Sequence, residues 1–181
     1  MRVISGKARG TILKTPTGMA TRPTADRVKE AMFSIIQFDV PAASVLDLFA
    51  GTGQLGIEAL SRGAKHAVFV DQRKDSVCLV KENLKRSHME EIGQVFQTNY
   101  ESYLSSCNAK FDIIFLDPPY AEVFLENSLK MITEIDILQS NGIIVTERPV
   151  DKELLFEKSG WIRSKDYKYG NTILTIFRKE C

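Results

Sequence analysis

The sequence predicts an α/β fold, a doubly wound and mostly parallel sheet with helices on both faces. Three observations carry this. From residue 44 onward, short apolar runs alternate with amphipathic stretches, the pattern of a parallel sheet built from strand–helix–strand crossovers. A glycine-rich loop, Gly51-Thr52-Gly53-Gln54-Leu55-Gly56, joins the first apolar run to the first amphipathic one. Acidic residues stand where strands should end, at Asp47, Asp71 and Asp117. The 181 residues are enough for one domain with a sizeable core, and no internal repeat or low-complexity segment interrupts them.

The elements follow in order. Arg2–Ser5 and Thr11–Leu13 read as two short strands around Gly6-Lys7-Ala8-Arg9-Gly10, a hairpin that presents Lys7 and Arg9 at its tip. Residues 14–23 form a loop rich in Thr, Pro and Gly. Thr24 is placed as a helix N-cap, with Asp26 in the first turn. Val28, Ala31, Met32, Ile35 and Ile36 then recur at helical spacing, predicting a helix over 25–37. Strands are expected at Ser44–Phe49, Ala67–Asp71, Val95–Gln97, Asp112–Leu116 and Ile143–Glu147. Helices are expected at Gln54–Ser61, Lys74–Arg86 and near 122–134. Trp161–Tyr167 and Thr172–Arg178 close the chain as two strands around Tyr169-Gly170-Asn171, and so tight a turn makes them antiparallel. Residues 1–23 are thus a basic hairpin and loop, and 24–181 the main domain, in a single structural unit.

Composition excludes several classes. The chain is 44% hydrophobic and 26% charged, near globular averages and unlike a disordered tail. No apolar run approaches the roughly 18 residues of a membrane helix, and no apolar stretch follows the basic N-terminus as a secretory leader would require. Cys78, Cys107 and Cys181 are odd in number and widely spaced, and His66 and His88 are the only histidines. A disulfide scaffold and a metal cluster are therefore not expected, and a reducing cytoplasm is.

The charge is uneven. Residues 1–30 carry seven basic and two acidic side chains, whereas the other 151 carry 17 basic and 21 acidic. A basic arm on a mildly acidic body is a common arrangement for touching nucleic acid. A solvated N-terminal extension would carry the same charge.

The glycine loop matches GxGxxG, and Asp71 lies 20 residues after Gly51 at the end of the next strand. A dinucleotide enzyme is the first hypothesis this raises. Asp47 argues against it. A pyrophosphate sits on a helix N-terminus because its charge meets free N–H groups. A carboxylate four residues before the first glycine would face the same cavity, and like charges 4 Å apart at an effective dielectric near 20 repel by about 4 kcal/mol. S-adenosylmethionine fits better, since it has an amino group and a sulfonium and no phosphate. Asp47 can accept from the amino group, and Asp71 can accept from both ribose hydroxyls.

Phe111–Leu116 runs directly into Asp117-Pro118-Pro119-Tyr120. Ligands of open α/β sheets sit outside the carboxyl ends of the strands, which puts this tetrapeptide at the mouth of the site. The prolines stiffen the loop and remove two N–H donors. The Asp117 carboxylate and the Pro118 carbonyl remain as acceptors for the two hydrogens of an exocyclic amine, and Tyr120 offers a face on which a base can stack. Holding both hydrogens turns the amine lone pair outward, and in-line placement of a methyl donor supplies most of the remaining gain.

Joined to Asp47-Leu-Phe-Ala-Gly-Thr-Gly53, this tetrapeptide resembles class I, Rossmann-like amino methyltransferases. Arg2-Val-Ile-Ser-Gly6, Arg9-Gly10, Arg22-Pro-Thr-Ala-Asp26-Arg27-Val28 and Glu30-Ala-Met-Phe33 narrow the resemblance to the RsmD family of bacterial enzymes. Ala59-Leu-Ser-Arg-Gly-Ala64 and Tyr169-Gly-Asn-Thr172 extend it over essentially the whole chain. The resemblance implies methylation of the N2 amine of a guanine in small-subunit ribosomal RNA by a monomer; naked RNA and an assembled or partly assembled subunit both remain as substrate, and the small reading surface of one basic arm favours the subunit. It implies a seven-stranded sheet with the last strand antiparallel. It implies cofactor roles for Asp47, Gly51, Gly53 and Asp71, with Phe49 and Asn99 beside them; the basic N-terminal charge makes Lys7, Arg9, Arg22 and Arg27 the candidate RNA contacts. The segment 22–27 either closes the site or holds RNA. Amino methyltransferases of adenine in DNA or of protein share part of the motif set. The chain lacks room for a DNA-recognition domain, and it carries Asp117 where the protein-modifying enzymes typically have Asn. A non-catalytic RNA-binding relative is the alternative from another class.

Overall fold

The computed structural model describes residues 1–16, 23–119 and 122–180, and for residues 23–25 and 122 it describes the backbone alone. After the N-terminal arm come α1 (Pro23–Ile35), β1 (Ser44–Asp47), α2 (Gln54–Ser61), β2 (His66–Asp71), α3 (Lys74–Arg86) and β3 (Gly93–Gln97). They are followed by α4 (Tyr100–Ser106), β4 (Phe111–Leu116), α5 (Glu122–Ile135), β5 (Leu138–Pro149), β6 (Trp161–Arg163), β7 (Tyr167–Tyr169) and β8 (Thr172–Lys179). The strands form one sheet in the order β3-β2-β1-β4-β5-β8-β6, with β7 also on β8. β1 to β5 pair in parallel, and β8 is antiparallel to β5, β6 and β7.

The central strands are apolar on both faces because both are covered. Val45, Phe69, Ile113, Phe115, Ile143 and Val145 join a core with the arm and residues of α1, α2 and α3. Leu46, Val68, Ile114, Leu116 and Ile144 pack on the other side with Tyr100 and Leu104 of α4 and Leu125, Leu129 and Ile132 of α5.

The doubly wound fold and most element bounds agree with the sequence reading, and the differences have physical causes. Helix α1 begins at Pro23, so Thr24 lies inside it instead of capping it. Proline suits the first helical position, where its missing N–H would have no intrahelical partner. Helix α4 was not expected. At seven residues it is too short for a periodicity to show, and its signal is Asn99, whose Oδ1 accepts from the Ser102 N–H at 2.7 Å. Strand β5 starts five residues early, because Gln139-Ser-Asn-Gly142 reads as a loop yet is held in the sheet by an irregular pairing of Leu138 with Phe111.

The expected strand from Trp161 to Tyr167 is broken. Arg163 pairs with Phe177 and Tyr167 with Leu174, so three residues face two, which is a β-bulge. Ser164 Oγ accepts from the Ile176 N–H at 2.9 Å. Asp166 accepts from the Thr175 hydroxyl at 2.7 Å and from Arg148 at 2.5 Å. The expected seven strands are therefore eight segments, two of them sharing one edge of β8.

The arm is docked. It holds a single antiparallel bridge, Arg2 to Ile12, where two short strands were expected. Val3, Ala8 and Leu13 are buried in the main core. Glu58 of α2, fully buried, accepts from the Ile4 and Ser5 N–H groups at 2.8 and 3.0 Å. Lys29 Nζ donates to the Arg2 carbonyl at 2.7 Å and lies 3.4 Å from Glu58. Gly6 has φ +85°, and a β-carbon there would sit 1.8 Å from the Ser61 carbonyl oxygen. Only glycine allows the arm this close to α2.

Candidate active site

Strand register assembles the site. Asp47 ends β1 and pairs with Phe69 on one side and Phe115 on the other. Alternation along each strand then sends Asp71, two residues past Phe69, and Asp117, two past Phe115, to the same side of the sheet. Leu116 pairs with Thr146, so Glu147 follows in step with Asp117. Four carboxyl side chains thus stand in a row on the ends of β2, β1, β4 and β5. An open cleft of about 460 Å³ lined by Phe156, Trp161 and Phe177 lies at the β6 edge and holds none of them.

Each acid has its own environment. Asp47 is 1% exposed, and its Oδ2 accepts from the Gly56 N–H at 3.1 Å. Burial pushes its carboxyl up to about 7, the Gly56 hydrogen bond opposes the rise, and the charges of Asp117 and Asp71 add to it. Asp71 braces the glycine loop: Oδ2 accepts from the Gly51 N–H at 2.9 Å and Oδ1 from the Arg73 N–H at 2.8 Å. Each oxygen keeps a second lone pair for a ligand hydroxyl. Asp117 is half-buried, and desolvation raises its carboxyl to about 6. Glu147 is raised to about 8 by burial and then by the charge of Asp117.

The glycine loop turns sharply with φ +54° at Gly51 and +77° at Gly53, left-handed values that favour glycine. The turn brings backbone between the ends of β1 and β2, where the Ala50 N–H donates to the Val70 carbonyl at 3.0 Å. Phe49 is half-buried against Tyr100, with ring centroids 5.4 Å apart, and Tyr100 meets Phe124 edge-on at 5.9 Å. Asn99 is exposed two residues past β3, and its amide oxygen is the cap of α4. Pro118 is half-buried and Pro119 exposed. Tyr120 and Arg22 lie outside the described residues. Lys7, Arg9 and Arg27 are exposed, the first two together on the arm.

In the sequence Glu147 is only the last residue of a predicted strand. An acid closing an apolar run was the available signal, but only the register of β4 against β5 reveals its neighbour.

A mouth edged with carboxyl groups takes a cation more readily than a phosphate ester. Buried Asp47, the acids flanking it and the close-turning backbone fit the ammonium, sulfonium and ribose of S-adenosylmethionine. That separates the chain from dinucleotide enzymes with the same loop and places it among the S-adenosylmethionine-dependent methyltransferases of Rossmann-like fold. Residues 1–178 match the family described as Conserved hypothetical protein 95. The chain is 41% identical to YlbH of Bacillus subtilis over 182 residues, 99% of each chain. It is 31% identical to ribosomal RNA small subunit methyltransferase D of Escherichia coli over 183 residues, covering 99% of this chain and 90% of that one. The solved structure of yhhF from Escherichia coli superposes with a TM-score of 0.89 at 29% identity, covering 99% and 98% of the two chains. The chain belongs to this family, the RsmD family that its motifs resemble.

Asp71→Ala is expected to weaken S-adenosylmethionine binding by about 1.5–3 kcal/mol, the worth of hydrogen bonds to a charged acceptor. Isothermal titration measures it, and an unchanged dissociation constant would remove the ribose assignment.

Proposed function

We propose that this protein transfers a methyl group from S-adenosylmethionine to the exocyclic N2 amine of a guanine in small-subunit ribosomal RNA. The observation that carries this is Asp117-Pro118-Pro119 at the end of β4, beside buried Asp47 and the glycine loop. Asp47, Gly51, Gly53 and Asp71 would hold the cofactor, with Phe49 and Asn99 flanking it. When bound, it supplies an electrophilic methyl carbon on a sulfonium.

The chain's own residues prepare the nucleophile. Among the described residues, no hydrogen bond engages the Asp117 carboxyl, so its oxygens are available to an incoming amine. Asp117 and the Pro118 carbonyl each accept one N2 hydrogen, which releases the lone pair from conjugation and aims it outward. On accepting the methyl group, the nitrogen would become cationic. The Asp117 carboxylate stabilises that charge and takes the proton. Tyr120 is assigned the stacking role.

The arm supplies RNA affinity. Lys7 and Arg9 are exposed on a turn that Glu58 and Ser61 clamp to the body, so their charge is presented from a fixed place. Arg22 and Arg27 are assigned as further RNA contacts. With so small a reading surface, the enzyme acts as a monomer on an assembled or partly assembled subunit, whose RNA is already shaped. The setting is the cytoplasm. Among the described residues, no helix is long and apolar enough to cross a membrane.

Lys7→Ala with Arg9→Ala is expected to flatten the salt dependence of RNA binding by a slope of about one to two, at about 0.7–0.9 per phosphate contact. An unaltered slope returns the arm to a structural role. The function itself is tested by offering labelled S-adenosylmethionine with unmethylated small subunits, their naked RNA, or duplex DNA. The expected product is N2-methylguanosine from subunits. N6-methyladenine in DNA would overturn the reading.

A further inference from the structure

The reaction needs one carboxylate beside the amine, and the row of acids supplies a second. Glu147 stands on β5, one step past the Leu116–Thr146 pair, and so beside Asp117. Neighbouring strands lie about 4.8 Å apart. The two carboxyls share the side of the sheet on which Phe115 and Val145 enter the core. The charge of Asp117 adds to the rise that burial gives the Glu147 carboxyl. Among the described residues, no hydrogen bond or ion pair engages the Glu147 carboxyl. Half-buried, the Glu147 carboxyl keeps its oxygens free to accept from a donor of a bound base.

The chemistry of the base says what would complete it. With a base's exocyclic amine held at Asp117, the ring nitrogen beside that amine is the next atom along the edge. In guanine it is N1, which carries a hydrogen. In adenine it carries a lone pair. We propose that Glu147 is a specificity-determining residue that accepts the N1–H of the guanine whose amine Asp117 holds, and so distinguishes guanine from adenine. The inference rests on the guanine-amine reading above. Both oxygens of an ionised Glu147 accept, and a neutral one keeps its carbonyl oxygen as acceptor while its proton is drawn toward the ionised Asp117. An adenine in the same pose sets its N1 lone pair against a carboxyl oxygen, and the two repel.

The test crosses the enzyme with the base. Small ribosomal subunits are assembled from RNA carrying either guanine or 2-aminopurine at the methylated position. 2-Aminopurine keeps the reacting amine and lacks the N1 hydrogen. Wild type should prefer guanine about tenfold or more in kcat/KM, the worth of one good hydrogen bond. Glu147→Ala should slow methylation of guanine about tenfold or more and leave 2-aminopurine at or above its wild-type rate, because its N1 lone pair no longer faces a carboxyl oxygen. Glu147→Gln, whose amide oxygen accepts, should restore the guanine rate, while its NH2, which can donate to the N1 lone pair of 2-aminopurine, narrows the preference. Cofactor affinity measured on each variant reports whether the fold is intact. If Glu147→Ala slows both bases equally, or neither, the proposal is overturned while the methyltransferase reading stands. If wild type methylates no guanine at all, the function assigned above falls and takes this inference with it.

Discussion

Asp117→Ala should reduce kcat by about 10²–10⁴-fold, the range for removing a group that positions and deprotonates a nucleophile, and leave S-adenosylmethionine affinity close to wild type. Rapid-quench methylation of subunits measures the first and calorimetry the second. Near-normal turnover would sink the role assigned to this carboxyl. The pH profile gives a second reading. Asp117 must be ionised to stabilise the charge on the nitrogen and take its proton, and burial lifts its pKa from 3.8 to about 6. The wild-type rate should therefore rise with pH through about 6 and then level. The same shift has a sign for stability. The native state binds this proton more tightly than the unfolded chain does, so the carboxyl destabilises the fold increasingly from about pH 4 to about pH 6. The variant should consequently melt no lower than wild type at neutral pH, which separates a catalytic loss from unfolding.

Glu58→Ala is the second large expected effect, and it is one of stability. Glu58 is fully buried and Lys29 is 2% exposed. Arg62 Nε donates to Glu58 at 2.7 Å, and the arm donates through Ile4 and Ser5. Desolvation already lowers the Lys29 pKa, with Glu58 as its main counterweight. Removing Glu58 strands a buried ammonium and two backbone N–H groups, and breaking such a pair costs about 3–5 kcal/mol. Urea unfolding measures it. Hydrogen exchange should show the loss first at Ile4 and Ser5, because the arm is released before the sheet. A destabilisation below about 1 kcal/mol, the size of an exposed pair, would show that the arm is held by its apolar contacts alone. The double replacement Lys29→Met with Glu58→Leu should recover only the part of the loss due to the stranded ammonium, since the Ile4 and Ser5 N–H groups stay without their acceptor.

These two residues mark the two ends of what sequence reading could reach. Asp117 was legible because its chemistry is local. Two prolines and an apolar strand beside an acid specify an acceptor-rich, rigid strand end whatever surrounds it. Asp47 and Asp71 were legible for the same reason, each lying within a few residues of the glycine loop or at the measured spacing from it. The roles of all three were inferred from types and spacing. The structure adds that Asp71 already binds the Gly51 and Arg73 N–H groups, so the residue proposed to meet the ribose also sets the loop beside it. Asn99 shows the converse. Its position matched an adenine contact, and its amide oxygen is the N-cap of α4, a helix too short to announce itself by periodicity.

Glu58 was not legible. Inside Gln54–Ser61 it reads as one more polar residue on an amphipathic helix. It became the anchor of the arm only when residues 53 and 54 positions earlier in the chain folded back onto it. The arm itself was visible as a run of positive charge, and charge alone could not separate a solvated extension from a clamped one. Gly6, which admits the arm against the Ser61 carbonyl, carried no distinguishing signal as a loop glycine.

The sequence by itself determined the doubly wound α/β class, the glycine loop, the acids at the ends of β1 and β2, and the Asp117 tetrapeptide. Each depends on a local pattern: hydrophobic period, a left-handed turn that favours glycine, or adjacent residues with complementary chemistry. The tertiary structure decided the register that lines Asp71, Asp47, Asp117 and Glu147 along one side of the sheet. It also decided the bulge that divides β6 from β7 and the burial of Lys29 against Glu58. The physical reason is common to all three. Register, strand irregularity and buried charge pairing are set by partners distant in the chain, whose free energy of contact exists only once the sheet has closed.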